Sequence, residues 1–364
     1  MTICLVLFVL GLLLLVAAFR VKKGKTWLFI LAGVCLLELT AALAYHAKNG
    51  YLIYNQRPNE NSELFEADPY TICNLKPNID TVIKGKHLVH NSLGWRDDAY
   101  QQKAFQVVCI GGSTTYGVGV ANKDTWPNKL EQALPDTLNV INLGVPGHTT
   151  NEHFATMLYE LTNIHPQVII FHVGLNDMRL AHLANIKSNY ANHHAAALYQ
   201  SVGLDYRSQL PNIASVHVLS DLLIKLGLAP QPWLPETIAA SNPTETKKQL
   251  QATYKNHLEQ LITLGKQYTN HIVFVPQVLI NEAFYNQNYA WWAPYIPDNE
   301  LVPIMEEFNA ITKEVALANN CQYVDAVDNI PFTLKHFTDP SHLNEEGLQW
   351  FTDSLVPYVV QEPN

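Results

Sequence analysis

The sequence predicts an α/β fold, a three-layer α/β/α sandwich built on a parallel sheet and preceded by N-terminal transmembrane helices. Two apolar segments occupy the first 50 residues, short apolar runs recur through the remainder, and helical stretches separate those runs. Short apolar runs are typical of parallel strands buried on both faces, and their alternation with helices indicates βαβ units. A chain of 364 residues, 48% hydrophobic and 15% charged, has room for one or two domains with a large core.

Residues 1–50 predict a membrane anchor of two transmembrane helices. Residues 3–19 and 27–45 are apolar, and each is roughly as long as a helix needs to cross a bilayer. Four Lys/Arg residues lie between them in residues 20–25, and a short basic loop is retained in the cytoplasm. The chain after about Leu52 would then face the periplasm or the cell exterior. A cleaved signal followed by a single anchor is the alternative.

The charge balance argues against nucleic acid as a partner. Residues 1–50 carry five Lys/Arg and one acid, so subtracting their +4 from the overall −9 leaves −13 for the rest of the chain. Phosphate binding needs clustered Lys/Arg, and the acidic body has no basic stripe.

The five cysteines have neither CxxC nor Cys/His ligand spacing, and His193-His194 has no companion ligands at helical spacing. We therefore expect neither a metal nor another cofactor.

Composition divides the remaining chain into a connector and a domain. Residues 51–100 are polar with several prolines, and they predict a connector that packs on the domain that follows. Residues 101–360 form that domain, with an insertion at about 180–245 where prolines interrupt the pattern. The insertion could be a lid or a partner surface.

Strands and helices alternate from residue 105 onwards. We expect strands at 105–110, 139–143, 168–173, 272–275 and 322–324, and helices at 124–134, 151–163, 245–268, 302–319 and 344–359. Sheets of this kind bind ligands at the carboxyl ends of their strands, so the loops after the strands are where chemistry is expected.

Three of these loops offer hydrogen-bond donors. The first strand ends in Gly-Gly-Ser113, a turn that can expose the serine hydroxyl and that lacks the pattern of either nucleotide-binding glycine loop. Gly144 follows the second strand, and Asn176 follows the third. Donors from three adjacent strand ends could converge on one oxyanion. When either of the last two loops is considered alone, ordinary turn chemistry is favoured over a catalytic role.

A fourth loop, just before the last helix, pairs Asp339 with His342. An aspartate three residues before a histidine on one turn can accept a hydrogen bond from the imidazole. That bond fixes the tautomer and leaves the other ring nitrogen as a base for a serine. Histidines are more often structural than catalytic, and the position of His342 beside an acid is what distinguishes it.

The four loops, in this order, resemble the SGNH (GDSL-like) hydrolase superfamily over about residues 90–360. The serine block reads Gly-Gly-Ser-Thr instead of Gly-Asp-Ser and is similar to that of membrane-anchored extracytoplasmic members, as is the upstream segment Asn91-Ser-Leu-Gly-Trp-Arg96. The resemblance implies the flavodoxin-like SGNH sandwich. It implies a triad of Ser113 as nucleophile, His342 as base and Asp339 as orienting carboxylate. It further implies an oxyanion hole made of the N–H groups of Ser113 and Gly144 and the side chain of Asn176.

Several neighbouring side chains have two interpretations. Arg96 could bind a carboxylate or sugar hydroxyls, or it could brace its own loop. His148 and His172 could line the pocket or pack in the core, and Asp177 is expected to shape the turn that aims Asn176. The aromatic tract 285–292 could stack on sugars, form a packed loop or contact a partner.

These features together predict a membrane-anchored serine esterase. Its substrate would be a small acyl ester, with acetyl the favoured group, on a carbohydrate or cell-envelope polymer. One alternative is an O-acyltransferase of an envelope polysaccharide that uses the same triad, and another is a non-catalytic envelope protein on the same fold. The triad does not separate hydrolysis from transfer, because that depends on whether the pocket excludes water and binds an acceptor.

Overall fold

The structure is a computed structural model that describes residues 2–49, 52–55, 63–68, 70–98, 103–190, 210–228, 239–280, 293 and 295–360. The chain divides into two compact units. One comprises Met1–Glu63 and Tyr199–Leu234, and the other, here called the catalytic unit, comprises Leu64–Leu198 and Pro235–Asn364. His193, His194 and the aromatic tract 285–292 lie outside the described residues.

The described elements follow the predicted alternation closely. The strands are β1 Phe65–Asp68, β2 Ile72–Leu75, β3 Ile79–Ile83, β4 Lys86–His90, β5 Phe105–Gly111, β6 Leu138–Asn142, β7 Val168–His172, β8 Ile272–Phe274 and β9 Gln322–Tyr323. The longer helices are α1 Thr2–Arg20, α2 Lys25–Asn49, α3 Trp126–Ala133, α4 Thr150–Ile164, α5 Ala214–Lys225, α6 Pro243–Gly265, α7 Asp298–Ala318 and α8 Glu345–Val360. Single helical turns occur at Ser113–Tyr116 and Leu175–Met178.

Five strands of the catalytic unit form one parallel sheet in the order β6-β5-β7-β8-β9. The chain starts in the sheet at β5, moves outward to β6, crosses back to β7 and then continues to the other edge. The predicted parallel α/β fold is confirmed. This topology brings the carboxyl ends of β5, β6 and β7 side by side, with the reversal of strand order beside β5.

Helices cover both faces of the sheet. Successive side chains of a strand point to opposite faces, and β7 illustrates the result. Ile169 and Phe171 join a core formed with α4, α6 and α7, whereas Val168 and Ile170 join a core formed with α3 and α8. The apolar runs in the sequence are therefore strands buried on both sides, which is why they lack polar alternation.

The segment before β5 forms two antiparallel hairpins, β1–β2 and β3–β4. Asn122 ties the second hairpin to the loop beyond β5, because its side chain accepts from the Val89 N–H at 2.9 Å and donates to the Val89 carbonyl at 3.0 Å. His90 meets the Tyr116 hydroxyl at 3.0 Å. These contacts connect the hairpins directly to the turn that carries Ser113.

The start of α4 is stabilised by two acidic side chains. Thr149 and Glu152 form a capping box, in which the Glu152 carboxylate accepts from the Thr149 N–H at 2.8 Å. Asp177, almost fully buried after β7, accepts from the N–H and the hydroxyl of Thr150. Negative charge is favourable at this end of a helix. Asp177 therefore links the loop of Asn176 to α4, which agrees with the structural role expected from the sequence.

The other unit contains α1 and α2, which pack against each other and are long and apolar enough to cross a membrane by length and composition. Helix α5, from the predicted insertion, packs beside α2 in the same unit.

We expect Asp177→Ala to destabilise the catalytic unit by about 1–3 kcal/mol, because the buried N–H of Thr150 loses its acceptor. The measurement is urea unfolding followed by tryptophan fluorescence, to which the buried Trp126 contributes. Asp353→Ala, at an exposed acid on α8, is the control and should change stability by less than about 0.5 kcal/mol. Equal effects of the two substitutions would contradict the linking role of Asp177.

Candidate active site

Ser113 lies at the first position of the helical turn that follows β5. The turn requires glycine before it, because a Cβ on Gly112 would lie 2.6 Å from the Asn176 Nδ2 atom. Ser113 itself is half-buried, so its hydroxyl is accessible. The first N–H groups of a helix have no partner within it, and the Ser113 N–H belongs to this set.

Three side chains form a continuous hydrogen-bonded chain at this strand end. The Ser113 Oγ atom lies 2.8 Å from His342 Nε2, and His342 Nδ1 lies 2.7 Å from Asp339 Oδ2. With the ring proton on Nδ1, the imidazole donates to the carboxylate and Nε2 accepts from the serine hydroxyl. These are the distances that nucleophile, base and orienting group require.

Asp339 is held ionised by its surroundings. Its Oδ1 atom accepts from the backbone N–H groups of Ser341 and His342, both at 2.9 Å, and from the Ser341 hydroxyl at 3.1 Å. Burial opposes ionisation of the Asp339 carboxyl, but attraction to His342 and these hydrogen bonds outweigh it and lower its pKa to about 2. The carboxylate is therefore charged and fixed in place when the protein is folded near neutral pH.

Asn176, buried at the end of β7, has both ends of its side-chain amide engaged. Its Nδ2 donates to the His148 carbonyl at 2.9 Å, and its Oδ1 accepts from the Arg179 Nη1 at 3.3 Å. Nδ2 carries a second hydrogen, which remains for another acceptor. Burial lowers the pKa of the Arg179 guanidinium to about 10, so it still carries its charge at neutral pH. Arg179 thus fixes which way the amide points.

The expected role of Gly144 is wrong. Its N–H donates to the Asn142 Oδ1 at 2.9 Å and is not directed at an oxyanion. A Cβ on Gly144 would lie 2.3 Å from the Tyr116 backbone nitrogen, so the residue must be glycine for the loop after β6 to pack on the Ser113 turn. Asn142 completes this contact by donating from Nδ2 to the Thr115 carbonyl at 3.0 Å. Gly144 therefore supplies close packing.

The same loop contains a second glycine in a different environment. Gly147 adopts a φ of 87° and directly precedes His148, whose carbonyl accepts from Asn176 Nδ2. The His148 ring is buried, and its Nε2 lies 2.9 Å from the Cys73 carbonyl in β2. The backbone of His148 thus contacts the site while its ring packs on the hairpin, which favours the packing interpretation of this histidine.

Arg96 is fully buried beneath the Ser113 turn. It donates from Nε to the Tyr116 carbonyl at 3.3 Å and from Nη2 to the Val120 carbonyl at 3.0 Å, and its guanidinium lies 4.5 Å from the centre of the Tyr116 ring. Burial lowers the pKa of Arg96. These contacts favour the bracing interpretation, because the side chain holds the backbone on both sides of Gly117.

A small cleft that is partly open to solvent lies beside His342, and the space in it and in front of it totals about 350 Å³. Its walls are mainly apolar and include Val118, Trp126, Leu343 and Phe351, with His172 at its buried end. Burial lowers the pKa of His172 to about 3, so this ring is neutral at physiological pH. The cleft is therefore an uncharged recess next to the candidate base.

Within the ranges described above, no group of three or more His, Cys, Asp or Glu side chains is arranged to hold a metal ion. The thiols of Cys73, Cys109 and Cys321 are buried and unbonded to one another, and burial raises the pKa of Cys73 to about 12.

Sequence reasoning missed Arg179 and Asn142, and it assigned to an oxyanion the Gly144 N–H that the structure bonds to Asn142. Arg179 lies three residues after Asn176, a spacing that puts two residues of a helical turn on one side, and this is the signal that could have identified it. Asn142 ends its strand with a polar side chain that is fully buried, which only the structure reveals. The two glycines of the loop have no sequence feature that separates a packing role from a donor role.

A Ser–His–Asp chain at the carboxyl ends of a parallel sheet defines a serine hydrolase, and its family is identified by comparison. The model of the GDSL-like lipase/acylhydrolase family matches residues 109–350, which is most of the catalytic unit and about two thirds of the chain. The chain belongs to this family and is an enzyme of the ester-hydrolysing type. No protein matches in a search of curated proteins.

Solved structures with a similar fold include three bacterial proteins. The lipase/acylhydrolase of Enterococcus faecalis is 16% identical, with a TM-score of 0.42, over 71% of this chain and 98% of that one. A variant of the acetyl-xylooligosaccharide esterase of Geobacillus stearothermophilus is 13% identical, with a TM-score of 0.41, over 72% and 97%. A lipolytic G-D-S-L family member from Veillonella parvula is 14% identical, with a TM-score of 0.41, over 70% and 97%.

We predict that Arg179→Met lowers kcat by about 10-fold while KM changes little. The amide of Asn176 loses the partner that orients it, which costs less than the ~10²- to 10³-fold loss from deleting an oxyanion donor outright. Steady-state hydrolysis of a chromogenic ester measures both parameters, and Arg179→Lys should restore part of the rate by donating to the same oxygen. A rise in KM at constant kcat would instead mean that Arg179 binds substrate.

The low pKa of Asp339 predicts a specific pH dependence of stability. The folded pKa of about 2 lies below the ordinary value of 3.8, so the charged carboxylate contributes stability that is complete above the ordinary value and is lost as pH falls through the folded value. The difference in unfolding midpoint between the wild type and Asp339→Asn should therefore shrink between about pH 5 and pH 2. A difference that stays constant over this range would show that the charge of Asp339 does not stabilise the fold.

Proposed function

We propose that this protein is a membrane-anchored serine esterase that removes a small acyl group, with acetyl the favoured group, from a carbohydrate or cell-envelope polymer. One observation carries the proposal: Asp339, His342 and Ser113 form an unbroken hydrogen-bonded chain at the strand ends of an acylhydrolase domain. Ser113 is assigned as the nucleophile, His342 as the base and then the acid, and Asp339 as the orienting carboxylate.

In the first step, the Ser113 Oγ atom attacks the ester carbonyl carbon as its proton moves to His342 Nε2. The 2.8 Å separation of the two atoms permits this transfer without rearrangement. The imidazolium that forms is stabilised by Asp339, which stays ionised because its pKa is so low. The product of this step is a tetrahedral intermediate with negative charge on the former carbonyl oxygen.

That oxyanion would be stabilised by donors from three strand ends. We assign the Ser113 N–H and the second hydrogen of Asn176 Nδ2 to it, and we assign the donor of the loop after β6 to Gly147 in place of Gly144. Gly147 is assigned on its position, because it adjoins His148, whose carbonyl accepts from Asn176 Nδ2. Arg179 is a positioning residue in this arrangement, since it holds the amide oxygen.

Collapse of the intermediate breaks the bond to the leaving alkoxide, which takes the proton from His342 Nε2. The acyl group is then on Ser113. Water attacks this ester with His342 again acting as base, and the second intermediate collapses to the free acid and the regenerated serine. The reaction consumes one water and needs no other reactant.

The cleft beside His342 supports a small acyl group. Its volume of about 350 Å³ includes space open to solvent, and apolar side chains form most of its walls. Such a recess suits a short hydrocarbon chain more than a charged one. The polymer is inferred from location, because an enzyme anchored in the membrane meets envelope polymers at its surface.

The anchor is assigned to α1 and α2, with the basic loop between them in the cytoplasm and the catalytic unit on the outer side. Protease treatment of intact spheroplasts tests this orientation. Cleavage of the catalytic unit supports it, and protection of that unit would contradict it.

The activity is tested with full-length protein in detergent and a series of chromogenic acyl esters of increasing chain length. We expect the highest kcat/KM with acetyl or another short acyl group, and we expect Ser113→Ala to lose activity by at least about 10³-fold. Ser354→Ala, a serine on α8 outside the site, is the matched control and should leave activity unchanged. Full activity in Ser113→Ala would overturn the mechanism.

The same assay separates hydrolysis from transfer when a soluble oligosaccharide is added as an acceptor. Free acetate and acetylated sugar are both counted. Acetate as the main product supports the esterase, whereas acetylated sugar formed in preference to acetate would make the protein an O-acyltransferase that uses the same acyl-enzyme.

A further inference from the structure

Helix α5 lies in the insertion whose purpose the sequence leaves open, and it belongs to the unit of α1 and α2. Its first turn is hydrogen-bonded to Glu38, the acid inside the apolar run of α2. The Glu38 carboxylate accepts from the backbone N–H of Ala214 at 2.6 Å and of Ser215 at 3.0 Å, and it also accepts from the Tyr54 hydroxyl. Glu38 therefore caps the N-terminus of α5, which is the end that attracts negative charge.

Small side chains allow the two helices to approach closely. Ala41 and Ala42 of α2 are buried together with Ala214 and Ile53, and Val218 packs against this cluster. Small residues at a contact between helices are typical of membrane interiors. Further along α2, the Tyr45 ring lies 5.9 Å from the His217 ring at an angle of 78°. Helix α5 thus runs along α2 from Glu38 towards the end of α2 that follows Tyr45.

Helix α5 also has exposed apolar side chains, and Leu219, Leu222 and Leu226 share one face of it because they are three and four residues apart. Five large hydrophobic residues on or beside the helix are between 42% and 73% exposed: Ile213, Leu219, Leu222, Leu226 and Leu228. The exposed side chains of α1 and α2 are also mainly apolar, so the leucines of α5 have the same character as the exposed residues of the two helices in its unit. An apolar patch of this kind marks a site of interaction.

The position of Glu38 sets the depth of α5. Glu38 lies about 20 Å along α2 from Lys25 at 1.5 Å per residue, and the hydrocarbon core of a bilayer is about 30 Å thick. If α2 spans the membrane, the first turn of α5 is inside the hydrocarbon, where an unbonded N–H is costly. Glu38 removes that cost. Asp221 and Lys225 lie nearer the outer interface, where charged side chains can reach the headgroups.

We propose that residues 210–228 form a third membrane-embedded segment, with α5 capped by Glu38 and its exposed leucine face in contact with phospholipid acyl chains. The proposal rests on the membrane position of α1 and α2 given under Proposed function. It makes the insertion a membrane attachment, so that three stretches of chain connect the catalytic unit to the embedded unit.

The test uses full-length protein in phosphatidylcholine vesicles whose acyl chains are brominated, because bromine quenches tryptophan fluorescence only at close range. Three variants add one reporter each: Leu219→Trp on α5, Phe8→Trp on α1, and Leu334→Trp on an exposed turn of the catalytic unit. The unsubstituted protein gives the background. We expect additional quenching for the first two reporters and none for the third.

The outcomes separate this inference from the membrane assignment. Quenching at position 8 without quenching at position 219 would overturn the inference and leave the anchor intact, and it would point to a protein partner for the leucine face. The absence of quenching at both positions would overturn the anchor and this inference together.

A second comparison tests the cap. In the Leu219→Trp protein, Glu38→Ala should abolish most of the additional quenching, whereas Glu38→Gln should retain much of it because the amide oxygen still accepts from Ala214. Hydrolysis of a soluble ester should be unchanged in both, since Glu38 is outside the active site. Quenching that is the same in Glu38→Ala as in its parent would show that Glu38 does not hold α5 in the membrane.

Discussion

The site depends on how closely the loops at the carboxyl ends of β5, β6 and β7 approach one another. Gly112 brings the turn of Ser113 to within contact of the Asn176 amide, and Gly144 brings the loop after β6 against the backbone of Tyr116. Neither approach tolerates a Cβ atom without displacement of the neighbour. Side-chain hydrogen bonds then hold the loops in this arrangement. Asn142 connects β6 to the Ser113 turn through the Thr115 carbonyl, and Arg96 donates to the Tyr116 carbonyl of the same turn. Since the nucleophile and the oxyanion donors come from different strands, an error in any one approach would misplace the others.

Burial separates the roles of the charged groups near Ser113. Asp339 is ionised because hydrogen bonds and His342 outweigh its desolvation, whereas His172 and His90 are desolvated with too little compensation, and their pKa values fall to about 3 and about 4. The neutral histidines act as packing groups. Among the histidines that the structure describes, only His342 combines a charged partner on one nitrogen with the serine hydroxyl on the other. Arg96 and Arg179 have a different role. Arg96 donates to backbone carbonyls and Arg179 donates to the amide oxygen of Asn176, so each guanidinium orients the polar group that it contacts.

The sequence predicts the sheet, its flanking helices and the members of the Ser–His–Asp chain, because each leaves a local signal. Buried parallel strands are short apolar runs, and Asp339 and His342 are close in sequence. The roles of Gly144 and Gly147 cannot be predicted in this way. Both are glycines in one turn after β6, yet one is needed for packing and has its N–H on Asn142, while the other has a left-handed φ beside the Asn176 contact. Which N–H is directed at the substrate is a property of backbone orientation, and residue identity does not encode it.

The partners of Glu38 are another feature that the sequence does not predict. An acid within an apolar helix is costly in a membrane, and such residues usually mark functional sites. Two of its partners are the backbone N–H groups of Ala214 and Ser215, 176 and 177 positions away, which any residue type would offer. No pattern of side chains could have identified them. The pairing also gives the acid a reason to be retained, because a helix that starts inside hydrocarbon must have its first N–H groups satisfied by something other than water. In the membrane arrangement that we propose, Glu38 and the leucine face of α5 meet one requirement together: the leucines favour lipid, and the carboxylate satisfies the first N–H groups of the helix.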